Sequence, residues 1–137
     1  MAQVVMVIVL VGLALYVVLG GADFGAAAWE VVGRSERLRT HAHESMAPVW
    51  EANHVWLIFV LTVTWTGFPV AFGSIASTLC VALFIAGLGI IVRGAAYALR
   101  VAATSERHHG LLARAQAVAS VVTPFALGAA IGGIASG

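Results

Sequence analysis

Lysine is absent from this chain of 137 residues, and charge of either sign is scarce: seven arginines and six acids make up 9% of it, against 61% hydrophobic residues. A water-soluble domain of this size needs a far more polar surface, so the scarcity points to an integral membrane protein. A mean hydropathy of +1.01 agrees. A net charge of +1, with no basic patch interleaved with aromatics, excludes a nucleic-acid binder. The single cysteine, Cys80, excludes an internal disulfide and reads as a buried small hydrophobe in an apolar run. The N-terminus lacks the positive n-region of a signal peptide, and its apolar run over 4–21 exceeds a usual h-region. The first segment is therefore expected to stay in the membrane.

What the chain does have is apolar length. A span of hydrocarbon about 30 Å thick takes roughly 20 apolar residues per helix. Four such segments are expected, over about 4–28, 47–70, 73–100 and 111–134. The expected fold is all-α: a polytopic membrane protein with four transmembrane helices forming one bundle, a single domain over 1–137. Pro48 suits a first helical turn with Ser45 as its cap, and Gly67-Phe68-Pro69 ends the second span. Pro124 interrupts the fourth, which membrane helices tolerate when neighbours re-satisfy the freed carbonyl. Gly87, Gly89, Gly128, Gly132 and Gly133 let backbones approach closely in lipid, or reflect ordinary membrane-helix composition.

The charges are segregated. Arg34, Arg37, Arg39, Arg93, Arg100, Arg107 and Arg114 all fall in or beside two polar stretches that flank the same ends of the spans. The positive-inside rule makes that side cytoplasmic and puts the N-terminus, the turn between spans two and three and the C-terminus outside. Arg34, Arg37 and Arg39 read as topogenic charge that also attracts anionic lipid.

This topology brings Asp23, Trp50, Glu51, Asn53, His54 and Arg93 into one layer near the cytoplasmic interface. Ionisable groups at membrane depth are expensive and usually face a bundle interior or a water path. On a helix, Trp50 and His54 are i,i+4 neighbours, and Glu51 and His54 are i,i+3 neighbours. A carboxylate beside an imidazole can relay protons; equally, such a pair can simply anchor the helix. Arg93 and Arg100 are read as structural ion-pairing residues. The Glu-x-x-His spacing of Glu51 and His54 matches one half of a carboxylate-bridged di-metal site, but the second such motif is missing, so no metal is expected. Haem fits poorly, because His54 is the sole histidine within a span. His41, His43, His108 and His109 read as solvated histidines of the polar connections.

Three motifs, in order, give a resemblance. They are Gly20-Gly21-Ala22-Asp23-Phe24-Gly25, then Ala47-Pro48-Val49-Trp50-Glu51-Ala52-Asn53-His54-Val55-Trp56-Leu57, then Phe68-Pro69 followed by Arg93-Gly94-Ala95-Ala96-Tyr97-Ala98-Leu99-Arg100. Together the chain resembles subunit II of the cytochrome bd quinol oxidase family, over the whole chain but only the N-terminal half of the family's usual length of eight spans. The resemblance implies the non-haem subunit of a quinol:oxygen oxidoreductase of aerobic respiration in a bacterial cytoplasmic membrane. Its partner is the haem-bearing subunit I, with a second half-subunit or additional small subunits as further expected partners. It also implies proton uptake through Asp23 and Glu51, with His54, and quinone binding beside Trp50 and Glu51. The sequence departs from the motifs at Glu51 and Ala52, where relatives carry Asp and Gly, at Ala22, where they carry an aromatic, and at Ala98, where they carry an acid. Ala98 leaves room for the alternative of an assembly subunit without proton or quinone chemistry.

Overall fold

A computed structural model describes the backbone of residues 1–32 and 35–136, and the side chains within them except those of 30–32, 36, 39–40, 42–48, 50–51, 101 and 106. The described chain is helical with no strand: α1 (Ala2–Val32), α2 (Glu36–Gly67), α3 (Pro69–Thr78), α4 (Cys80–Ala102) and α5 (Glu106–Ser136). Helices answer the demand of hydrocarbon that every backbone polar group be paired within its own segment. Three are long and apolar enough to cross a membrane, over Ala2–Trp29, Cys80–Arg100 and Arg107–Ser136. The pair Ala52–Gly67 and Pro69–Thr78, bent by 118°, makes a fourth only if the two helices cross as one span. The all-α, multi-pass expectation is met.

Two helix boundaries differ from the sequence reading in an instructive way. Helix α2 begins at Glu36, and Ser35, in extended conformation, caps it by accepting a hydrogen bond from Leu38 N at 3.2 Å. The expected second span is therefore the C-terminal part of a longer helix, and Pro48 lies inside that helix rather than in its first turn. At the other end α2 stops at Gly67, as the Phe68-Pro69 signal implies, and α3 leaves at 118°. The ring of Pro69, first residue of α3, cannot donate a hydrogen bond to extend α2, so a new helix starts there. A second break at Leu79 divides α3 from α4 within the expected third segment.

Packing follows the connections. Helices α1 and α2 form one antiparallel hairpin and α4 and α5 another, and α1 also touches α5. Each hairpin closes on glycines. A Cβ at Gly12 of α1 would stand 3.0 Å from Val60 Cγ2 on α2, and one at Gly67 would stand 3.1 Å from Val5 Cγ1. On the other hairpin, a Cβ at Gly89 would collide with Thr123 Oγ1, and one at Gly133 would come within 2.8 Å of Leu79 Cδ2. Gly89 and Gly133 thus serve close approach as expected, whereas Gly87, Gly128 and Gly132 face open space. Leu79 seats against Gly133, and Cys80, next in the chain, is exposed. That corrects the reading of Cys80 as a buried hydrophobe: the helix break turns Leu79, not the thiol, onto α5.

The interior is made of small and polar groups. On α1 the buried positions are Val9, Gly12, Tyr16, Gly20, Asp23 and Ala27; on α4 they are Ala86, Gly89, Arg93 and Ala96. Both runs step by three or four residues, the signature of one helix face. The bulk apolar side chains point outward, among them Val18, Trp65, Phe84 and Phe125. In lipid that inversion carries no penalty, because hydrocarbon is as apolar as leucine and helices associate through close packing and polar contacts.

Candidate functional site

The buried face of α1 ends in a carboxylate. Asp23 is 3% exposed and Asn53, facing it from α2, is 2% exposed. The amide Nδ2 of Asn53 donates to Asp23 Oδ2 at 2.6 Å and to the carbonyl of Leu19 at 2.9 Å. One side-chain amide therefore holds both the acid and the backbone one turn before it, fixing α2 against α1 at this depth.

The positive partner comes from the other hairpin. Arg93 of α4 is equally buried, and its guanidinium carbon lies 4.7 Å from the centroid of the Phe24 ring on α1. Arg93 interacts electrostatically with Asp23 and with Tyr16. A buried carboxylate alone is prohibitively costly; a cation in reach and a face-on aromatic ring make both charges tolerable.

The α4–α5 hairpin carries a second polar centre. Arg100 Nη1 donates to Gln116 Oε1 at 3.0 Å, and Ser120 Oγ donates to the Gln116 carbonyl at 2.8 Å. Asp23, Arg93 and Gln116 each sit nine or ten residues inside the polar end of their helix, about 14 Å at the α-helical rise. With Asn53 they form the buried polar layer of the two hairpins.

The layer is incompletely paired. Among the described residues, Asn53 Oδ1, Arg93 Nε and Nη2 and Gln116 Nε2 are buried with no hydrogen-bond partner. Buried polar atoms are nearly always satisfied, by protein or by ordered water. Donors and acceptor together suit water or a carbonyl or carboxylate oxygen. Among the described residues no three His, Cys, Asp or Glu side chains converge as metal ligands would.

Of the residues singled out from sequence, Asp23 and Arg93 are brought together by the fold. His54 follows Asn53 on α2 and is half-buried. Trp50 and Glu51 lie on the same helix, but their side chains fall outside the described residues. Arg100 is engaged with Gln116, and His41, His108 and His109 are exposed. Sequence reasoning placed Asn53 in the layer without giving it a role, and it passed over Tyr16, Phe24 and Gln116. A signal for two of them was there: Tyr16 precedes Asp23 by two turns on one face, and Gln116 is a lone amide at the start of an apolar segment.

The comparisons with known proteins agree with the motifs. The family model described as cytochrome bd terminal oxidase subunit II matches residues 1–137, the whole chain, and the chain belongs to that family. No curated protein matches it significantly.

Proposed function

We propose, from membership of the cytochrome bd terminal oxidase subunit II family, that the chain acts as the non-haem subunit of a bd-type quinol:oxygen oxidoreductase and supports proton uptake towards its partner. In this reading it packs against a haem-bearing subunit in the bacterial cytoplasmic membrane, with its arginine-bearing ends inside and its N-terminus outside. The haems sit in that partner and carry the electron chemistry.

The observation that carries the reading is Asp23. A carboxylate buried within a membrane-spanning helix, held by an amide and balanced by an arginine, is an expensive arrangement that a scaffold does not need. Asn53 fixes Oδ2 as a hydrogen-bond acceptor and leaves the other oxygen to take up and release a proton. Arg93, on the other hairpin, supplies the cation that faces the acid. Glu51 and His54, two residues before and one after Asn53 at the middle of α2, are the residues that feed it, and Trp50 with Glu51 would take the quinone ring.

The test is Asp23→Asn in the assembled oxidase. Loss of a positioned proton-transfer group predicts a fall in quinol oxidase turnover of about a hundredfold, with haem absorption still copurifying with the tagged chain. Unchanged turnover in an intact complex removes Asp23 from the path. One feature favours a pure scaffold instead: Ala98, exposed on α4, stands where the family motif carries an acid. Under that reading, neutralising Asp23 disturbs assembly and leaves the turnover of each assembled complex as it was.

A further inference from the structure

The first two turns of α5 carry an unassigned basic groove. A depression of 670 Å³ is lined by Arg107, His108, Gly110, Leu111 and Arg114. It lies at the polar boundary of a span, since the apolar stretch of α5 begins at Arg107. Both arginines and His108 are exposed, against a single acid nearby in the chain, Glu106, the first residue of α5. The unpaired N–H groups of this 31-residue helix begin at the same end and add partial positive charge.

Below the groove the same helix face turns apolar. Val118 is 63% exposed, Val121 64% and Phe125 81%, while Leu111, 65% exposed, lies between the two arginines in the groove itself. With the arginines, the positions 107, 111, 114, 118, 121 and 125 step alternately by four and three, which is one straight stripe on a helix. From Arg114 to Phe125 the stripe descends about 16 Å, close to half of a hydrocarbon core about 30 Å thick. Cations at headgroup level above an apolar track one leaflet deep match the shape of a single phospholipid.

We propose that this stripe is a binding site for an anionic phospholipid. Arg107 and Arg114 hold the phosphate, with His108 as a further donor, and one acyl chain lies along Val118, Val121 and Phe125. Arginine suits the phosphate because its planar fork donates two hydrogen bonds at once. The choice of an anionic over a zwitterionic lipid follows from charge: two arginines face the headgroup, and phosphatidylcholine carries its own cation there. The proposal needs only the membrane placement of α5 and stands apart from the proton-uptake reading.

The experiment is native mass spectrometry of the purified protein, with the subunits that copurify, after graded delipidation in phosphatidylglycerol or phosphatidylcholine. Wild type is expected to retain phosphatidylglycerol in preference. The double variant Arg107→Gln and Arg114→Gln is expected to lose that preference by about 25-fold, or about fivefold per arginine near an anionic surface. Equal retention by variant and wild type overturns the proposal, as does equal retention of the two lipids by wild type. Displacement of the lipid by millimolar inorganic phosphate reassigns the groove to a free anion and also overturns it. Should the variant fail to fold, spin-labelled lipids around the wild-type protein give the same answer. A larger immobilised fraction for phosphatidylglycerol supports the site, and equal fractions refute it.

Discussion

Asn53 and Asp23 lie 30 residues apart in the chain, yet the amide of one donates to the carboxylate of the other at 2.6 Å in the interior. The bond joins α1 to α2 at the depth where Arg93 crosses over from α4. Asn53→Ala should leave Asp23 Oδ2 and the Leu19 carbonyl without their donor. The expected loss is about 1–3 kcal/mol, read as a lower unfolding midpoint in detergent. A double-mutant cycle with Asp23→Ala should return a coupling within about 0.5–3 kcal/mol; additive single effects would mean that the contact contributes nothing of its own.

Removing the arginine should hurt more than removing both charges. Arg93→Leu leaves the buried Asp23 carboxylate without the cation it interacts with, at an expected cost of at least about 1–3 kcal/mol. The double variant Arg93→Leu with Asp23→Leu should recover much of that loss, measured as the fraction of folded, monodisperse protein after extraction. A double variant worse than Arg93→Leu alone would contradict the pairing.

The ring under the guanidinium can be tested separately. Phe24→Leu keeps apolar volume and removes the quadrupole that faces Arg93. The expected destabilisation is about 0.5–2 kcal/mol, and it should vanish in the background of Arg93→Leu. Persistence of the full effect there would assign it to packing alone.

The α4–α5 hairpin makes a steric prediction. A methyl group at Gly89 meets Thr123 Oγ1, which is fully buried and already donates to the Ala119 carbonyl at 2.6 Å. Gly89→Ala should therefore destabilise by about 1–3 kcal/mol. Adding Thr123→Ala should restore much of the loss by vacating the clash, which thermal unfolding would read directly. Gly128→Ala, with open space around it, serves as the silent control.

Much of this architecture was legible in the chain, and the parts that were not have physical reasons. The apolar length of α1, α4 and α5 announces membrane helices because hydrocarbon admits little else. Gly67-Phe68-Pro69 marks the end of α2 because proline cannot donate to the helix before it. The start of α2 was hidden: residues 36–45 are polar, and hydropathy cannot distinguish a solvated helix from a loop. The Ser35 cap was the available cue. Asp23 and Arg93 stood out as charges at depth, whereas the role of Asn53 was invisible. A neutral amide reveals its partner only when a neighbouring helix is set in register, and the register comes from glycines such as Gly12 and Gly67 packing on side chains far away in sequence. Cys80 was misplaced because its exposure depends on a backbone break that no residue type announces.

The split of the molecule into two glycine-closed hairpins has a mechanical corollary. Asp23 and Asn53 travel together on one hairpin, while Arg93 rides on the other. Sliding or tilting one pair of helices against its neighbour would leave the amide–carboxylate bond intact and stretch the gap to the cation. The separation of carboxylate and guanidinium thereby becomes a gauge of how the two halves are seated.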